Sequence, residues 1–338
     1  MPLTDPVARL ILDEAGDLRG ARVFVLDDRD AELATGAAAA GAAEVRWWGD
    51  DVRDDPDLPG SIALPEIDAG TDLVLARLPR ALDRLDEYSR ELAARAPGAR
   101  IVAGARVKHM TRSMNAVLER HWRQVRASLG RDRSRVLHAT DARPIDPDAT
   151  NRWPREATVQ TPGGNLTLVH HGGVFAGGRL DPGTRLLLQA LAQARPSPGR
   201  AHDLGSGTGV LGLWLARSGH RVSASDISRF AVASTRQGAR VNDVSIEVRL
   251  ADGVAGVPPS VEPQLDLLVS NPPFHSGAAK DSTPTLELIR NLPTVVRPGG
   301  QAWLVWNSHL PYLPALRAVG RTTIVARNRA YTVTRTIL

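Results

Sequence analysis

The sequence predicts an α/β protein made of two tandem, doubly wound, mainly parallel sheets, the first degenerate and the second complete. Three observations carry this. From Pro198 onward, short apolar β-type runs alternate with longer helical patterns, the signature of strands joined by crossover helices. The first half repeats that plan in weaker form, as an internal duplication would. The chain has 338 residues, 42% of them apolar and 23% charged, enough for two cores of ordinary size.

In the second copy the order is "RAHDLG" strand, "TGVLGLWLARSG" helix, "HRVSASD" strand, "SRFAVASTRQGARVND" helix, "IEVRLAD" strand, "LDLLVSN" strand, "TPTLELIRNLPTVVRPGG" helix and "QAWLVWN" strand. The closing "RTTIVARNRAYTVTRTIL" reads as a hairpin turning at Asn328, which adds antiparallel strands to make seven. In the first copy, "DLVLARLPRALDRL" from Asp72 matches "DLLVSNPPFHSGA" from Asp266, setting Arg77 opposite Asn271, Pro79 opposite Pro273 and Arg80 opposite Phe274. Upstream, "ARVFVLDDRDA" from Ala21 stands where the second copy has "AHDLGSGTG" from Ala201. The first copy lacks the glycines and the Asn-Pro-Pro-Phe, so it keeps the fold without the chemistry. The expected division is a degenerate domain over 1–135, a polar, proline-rich linker over 136–152 and a second domain over 153–338. That domain opens with a strand, a glycine-rich loop and a helix begun by Asp181 as N-cap and Pro182 at its first position.

Composition removes whole classes of chemistry. There is no cysteine, which excludes disulfides, thiolate metal sites and thiol nucleophiles, and the nine histidines show no spaced ligand pair, so no metal is expected. No apolar run approaches the roughly 18 to 20 residues that span a bilayer. The opening "MPLTDPVARLILDEAGDL" carries acids where a signal peptide has basic and apolar segments. A cytoplasmic protein without membrane contact is expected. The net charge of +5 is unevenly spread: residues 1–99 hold 21 acids against 11 bases, and Arg100 to Glu156 hold 13 bases against 6 acids. The run "RVKHMTRSMNAVLERHWRQVRASLGRDRSR" interleaves cations with Trp122 and histidines, His138 following just beyond. It suits a phosphate backbone and suits equally a solvated basic face; both readings stand.

The chemistry gathers at strand ends. "DLGSGTG" sets Asp203 at the end of one strand and Gly205, Ser206, Gly207 and Gly209 in a turn into a helix, where a ligand can lie against bare backbone. A dinucleotide fingerprint would want glycine or alanine at 210, which is Val210; the G-x-G-x-G spacing instead resembles an S-adenosylmethionine site. Asp226 ends the next strand, where an acid accepts from ribose hydroxyls, and Asp252 ends the third, within reach of an adenine amino group. "NPPF" follows the fourth. Pro272 and Pro273 have no N–H to donate, so sheet pairing stops at Asn271 and the strand ends in a stiff shelf. There Asn271 Oδ1 and the Pro272 carbonyl can accept the two N–H groups of a planar amine and aim its lone pair. Phe274 can stack on the base and His275 orient it. A base inside a duplex cannot reach such a shelf, so a nucleic-acid substrate must be unpaired or flipped.

These segments resemble the class I methyltransferases, and among them the ribosomal RNA guanine-N2 methyltransferases of the RsmC/RlmG type. The resemblance covers essentially the whole chain and is carried by "GVFAGGRLDPGTRLLL", "DLGSGTGVLG", "SNPPFH" and "NSHLPYLPAL". It implies two tandem Rossmann-like domains and S-adenosylmethionine held by Asp203, Gly205, Ser206, Gly207, Gly209, Asp226, Asp252 and Asn271. It implies an amine-transfer centre of Asn271, Pro272 and Phe274, with Phe175, Pro273, Phe274 and His275 on the substrate side. Asp181, Gly183 and Thr184 match a family loop near cofactor and substrate; Ala176 stands where serine is familiar, and Ser206 where cysteine is common. The implied partner is ribosomal RNA or a ribosomal subunit, and a monomer would suffice, the oligomeric state being open. Two alternatives share these residues: another amino methyltransferase acting on adenine N6 or a protein glutamine, and a non-catalytic RNA-binding assembly factor.

Overall fold

A strand covered by helices on both faces must be apolar at nearly every position, and the central strands of the chain read that way. The computed structural model describes residues 4–54, 67–146, 152–260, 264–272 and 283–338. They form two units: one of Met1–Trp153 with His171–Gly173, the other of Pro154–His170 with Val174–Leu338.

The first unit runs α1 (Pro6–Ala15), β1 (Arg22–Leu26), α2 (Glu32–Ala39), β2 (Glu44–Trp48), β3 (Leu73–Arg77), α3 (Leu82–Arg95), β4 (Arg100–Arg106), α4 (Arg112–Glu119), β5 (Trp122–Ala127) and β6 (Ser134–Ala142). Its sheet has the order β2-β1-β3-β4-β6-β5. The second unit opens with a hairpin, β7 (Arg155–Thr161) and β8 (Gly164–His170), and α5 (Pro182–Ala194). It continues through β9 (Arg200–Leu204), α6 (Val210–Arg217), β10 (Arg221–Asp226), α7 (Arg229–Val241), β11 (Ile246–Leu250) and β12 (Leu265–Ser270). It closes with α8 (Thr283–Val295), β13 (Val296–Asn307), α9 (Leu313–Val319), β14 (Arg321–Arg327) and β15 (Tyr331–Ile337). Its seven-stranded sheet has the order β11-β10-β9-β12-β13-β15-β14, parallel except for β15 and β14. The first sheet follows the same order with no counterpart of β11 among the described residues.

The period of two along β13 divides the core of the second unit: Trp303 and Val305 pack with Leu187, Leu191 and Leu213, whereas Ala302, Leu304 and Trp306 pack with Ile289, Leu292 and Leu316. The duplication reaches single hydrogen bonds. Asp266 Oδ2 accepts the Arg200 N–H at 2.7 Å, and Asp72 Oδ2 accepts the Arg22 N–H at 2.8 Å. That register sets Arg22 against Arg200, so Ala21 stands opposite Gly199, two residues from the match with Ala201 that the letters suggest.

Three expectations shift. The strand expected from Gln301 begins at Val296, because Gly300 lets the backbone pass close to Leu265: a Cβ there would meet the Leu265 carbonyl oxygen at 2.7 Å. The expected linker 136–152 starts inside β6, where Val136, Leu137 and Ala139 are buried in the first sheet. Trp153, expected to open the second domain, belongs to the first unit, its Nε1 donating to Asp86 Oδ2 at 3.0 Å.

Candidate active site

The turn between β9 and α6 is built by backbone alone. Gly205, Gly207 and Gly209 all have positive φ, at 72°, 55° and 79°. At Gly209 a Cβ would meet Thr235 Cγ2 at 2.8 Å, while at Gly205 it would meet nothing within 4 Å, so the space over Gly205 is open. The Gly205 and Ser206 N–H groups donate to the Ser225 carbonyl at 2.9 and 3.0 Å, tying the turn to the end of β10. Ser206 Oγ lies 3.0 Å from Thr235 Oγ1, which also donates to the Gly207 carbonyl, so α7 braces the turn from below.

Asp203 is 1% exposed beneath this turn. Its Oδ2 accepts the Gly212 N–H at 2.8 Å, and its Oδ1 has no partner. Burial pushes the carboxyl up to about 7; the Gly212 N–H opposes the rise and the Asp226 charge adds to it. A buried oxygen left this way calls for a donor from outside the polypeptide, such as water or a ligand N–H. Asp226 accepts the Gly207 N–H on Oδ2 and the Ser228 N–H on Oδ1, each at 2.9 Å. It is not a helix cap: Ser228 caps α7, accepting from Ala231 N. Asp252 lies exposed, two residues past β11, where Ala251 N donates to the Asp226 carbonyl.

Asn271 follows directly on β12. Its Nδ2 donates to Asp181 Oδ2 at 3.1 Å and to Thr184 Oγ1 at 2.9 Å, and its Oδ1 is buried without a partner. Pro272 is buried beside it. Asp181 caps α5 as its sequence suggests, accepting the Thr184 N–H at 2.9 Å. That local role is visible in "LDPGT"; the bond to a residue 90 positions away is not, and Thr184 was missed as a partner of Asn271. Phe175 stands 60% exposed in the loop before α5, and with Ala176, Arg179 and Asn271 it lines a small cavity over the glycine turn. Pro273, Phe274 and His275 lie outside the described residues. The second unit also has a larger cavity, about 1020 Å³, at the opposite ends of the strands, lined by residues such as Arg200, His220, Arg221 and Glu247. None of the residues selected from the sequence faces it. It lies where a short 3₁₀ turn, Gly253–Gly256, stands between β11 and β12 in place of a full helix.

Residues 165–335 match the family model of the methyltransferase small domain, and residues 60–143 match the RLMG N-terminal domain. A ribosomal RNA large subunit methyltransferase G of Streptomyces coelicolor is 35% identical over 82% of this chain and 76% of its own. A ribosomal RNA small subunit methyltransferase C of Alcanivorax borkumensis is 31% identical over 98% of both chains. The chain belongs to the RsmC/RlmG family of ribosomal RNA methyltransferases. In structure it is similar to a T. thermophilus 16S rRNA N2 methyltransferase (RsmC) in complex with AdoMet and guanosine, with a TM-score of 0.83 and 24% identity over 99% of this chain and 92% of that one. The family matches divide as the sheets do: one runs from β8 to β15, the other covers β3 through β6.

The basic stretch of this RsmC/RlmG chain has a different character from the one its letters suggest. Trp122 is fully buried, its Nε1 donating to Ser89 Oγ at 3.1 Å, and His138 is buried against Glu14 at 3.0 Å. They are core groups, not stacking partners. Arg120 pairs with Asp86 at 3.2 Å and Arg123 with Asp141 at 3.0 Å. Arg126, Arg133 and Arg135 of the β5/β6 hairpin are exposed and have no ion pair among the described residues. No helix among the described residues is long and apolar enough to cross a membrane.

Proposed function

We propose that the chain transfers the methyl group of S-adenosylmethionine to the exocyclic N2 amine of a guanine in ribosomal RNA. One observation carries this reading: the partnerless, buried Oδ1 of Asn271, at the end of β12 beside an open glycine turn. The residues fit the cofactor. The turn at Gly205–Gly209 offers bare backbone with nothing within 4 Å of a Cβ at Gly205, the orphaned Asp203 Oδ1 suits an amino group, and Asp226 and Asp252 stand at the ends of the next two strands for ribose and adenine. S-adenosylmethionine supplies a methyl group activated by a sulfonium.

The chain's own work is on the amine. A guanine N2 is planar because its lone pair is delocalised, and it becomes nucleophilic as it pyramidalises. Asn271 Oδ1 and the Pro272 carbonyl accept its two N–H bonds, hold it in that shape and aim its lone pair at the methyl carbon. With a methyl donor bound there, the same two oxygens would stabilise the positive charge growing on nitrogen and would hold the N–H whose proton is given up to water. In this reading Phe274 and Phe175 flank the base, with Pro273 and His275 completing the shelf. Ribosomal RNA contacts the exposed guanidiniums of Arg126, Arg133 and Arg135 through its phosphates.

The test is transfer of labelled methyl to ribosomal RNA and separated subunits lacking the modification, comparing wild type with Asn271→Ala and analysing nucleosides. N2-methylguanosine that falls roughly 100- to 1000-fold with the variant is the expected result. Label on adenine or on protein moves the assignment to another amine, and no label despite cofactor binding moves it to a binding factor.

A further inference from the structure

We propose that Asp181 and Thr184 are positioning residues that fix which end of the Asn271 amide faces the substrate amine; this rests on the reading of Asn271 given above. The three side chains form a closed cycle. Asn271 Nδ2 donates to Thr184 Oγ1 at 2.9 Å and to Asp181 Oδ2 at 3.1 Å, and Thr184 Oγ1 lies 3.4 Å from the same Asp181 oxygen, to which its hydroxyl can donate. A carboxylate oxygen only accepts, so the amide must turn its NH2 toward Asp181. Its Oδ1 is thereby directed away from the cycle, and it is the atom left buried without a partner.

The opposite orientation would defeat the chemistry. With NH2 facing the cleft, donors would meet the donors of the target amine, and the lone pair would lose the acceptor that aims it. An asparagine with free rotation would sample both states. Here the holder is rigid: Asp181 accepts the Thr184 N–H as the α5 cap, Thr184 is 5% exposed, and one turn further along α5 Leu187 and Leu188 are fully buried. The cycle therefore lends the order of a helix terminus to a residue that stands just outside the sheet.

The experiment is single-turnover methyl transfer to unmodified ribosomal RNA with Thr184→Val, Thr184→Ser, Asp181→Asn and Asn271→Ala, together with Thr184→Val on the Asn271→Ala background. S-adenosylhomocysteine affinity and the unfolding midpoint are measured beside it. Thr184→Val, which removes the acceptor and keeps the shape, lowers the transfer rate roughly 10- to 100-fold with cofactor affinity unchanged. Thr184→Ser, which keeps the hydroxyl, stays within a few-fold of wild type, and Asp181→Asn, which replaces one acceptor oxygen by a donor, falls between Thr184→Ser and Thr184→Val. On the Asn271→Ala background Thr184→Val costs nothing more, because it acts only through Asn271. A transfer rate for Thr184→Val equal to wild type overturns the proposal, as does a full multiplicative loss on the Asn271→Ala background. Transfer undiminished in Asn271→Ala alone sinks the reading of Asn271 itself and this inference with it. If Thr184→Val does not fold, failure of Asp181→Ala to slow transfer in a folded protein overturns the proposal equally.

Discussion

The turn after the first strand keeps its backbone path in both units, while the side chains at three strand-end positions leave it open in the second and filled in the first. Asp27 N donates to the Trp48 carbonyl at 2.9 Å just as Gly205 N donates to the Ser225 carbonyl at 2.9 Å. Both residues have positive φ, 56° and 72°, and so do the N-caps of the helices that follow, Ala31 and Gly209. The backbone path survives without glycine at a local cost of about 1 to 2 kcal/mol per residue. What changes is the space. Over Gly205 nothing stands within 4 Å, whereas Asp27 puts a carboxylate there, accepting from the Tyr88 hydroxyl at 2.9 Å and the Asp50 N–H at 3.1 Å. Val25 takes the place of Asp203, and Arg77, opposite Asn271, ion-pairs with Asp5 and Asp28. In one unit the strand-end charges meet their own counter-ions, although Asp28 Oδ1 and Arg77 Nε make no hydrogen bond; in the other, Asp203 Oδ1 and Asn271 Oδ1 are buried with neither a hydrogen bond nor a counter-ion among the described residues.

Breaking the filled site should cost stability and not catalysis. Arg84 pairs with Asp50 at 2.7 Å, 18% and 7% of the two side chains being exposed, and it also counters the burial that raises Asp27 to about 6. Arg84→Ala leaves buried carboxylates without their counter-ion and should destabilise the protein by about 3 to 5 kcal/mol. A urea titration checks this, with cofactor affinity in the native baseline unchanged. Importing the filler is the converse: Gly205→Asp places a residue that tolerates left-handed backbone into open space. It should weaken cofactor binding about 100-fold or more in calorimetry while costing about 1 kcal/mol of stability.

The two conditions of Asp203 pull in opposite directions with pH. Docking a cationic amino group requires the carboxylate, so cofactor affinity should fall by up to about tenfold per pH unit below about 7 and level off above it. Stability of the free protein runs the other way. The folded carboxyl keeps its proton up to about 7 while the unfolded one loses it near 3.8, so this group's contribution is complete below pH 3.8 and is lost as pH rises to about 7. Asp203→Asn should flatten both curves. The smallest effect belongs to the surface: Arg126→Glu should lessen the salt dependence of ribosomal RNA binding by roughly one phosphate contact or a little more, without changing transfer at saturation.

The succession of strands, the glycine turn and the end of β12 before Asn271 were legible because each is written in a short local pattern: apolar runs, glycine spacing, prolines after a strand. What was not legible depends on distant partners. Trp122 reads as an aromatic among cations, yet it is fully buried, its Nε1 donating to Ser89 on α3, 33 residues earlier in the chain. Asp181 reads as a cap, and nothing near it announces Asn271. The start of β13 at Val296 was hidden because "RPGG" reads as a turn, and only the approach to Leu265 makes it a strand.

The bond from Asp181 to Asn271 also sets how much of this protein could be transplanted. A fragment beginning at Pro198 would carry every glycine and every strand-end acid of the sheet, and by motif it would look whole. It would lack α5 and the β7/β8 hairpin, and with them Leu187, Leu188 and Leu191 from the core and the two oxygens that hold the asparagine. Such a fragment should be unstable, its sheet uncovered on the face that α5 occupies. Whoever grafts this chemistry onto another scaffold must therefore cut before Arg155, not at the first glycine.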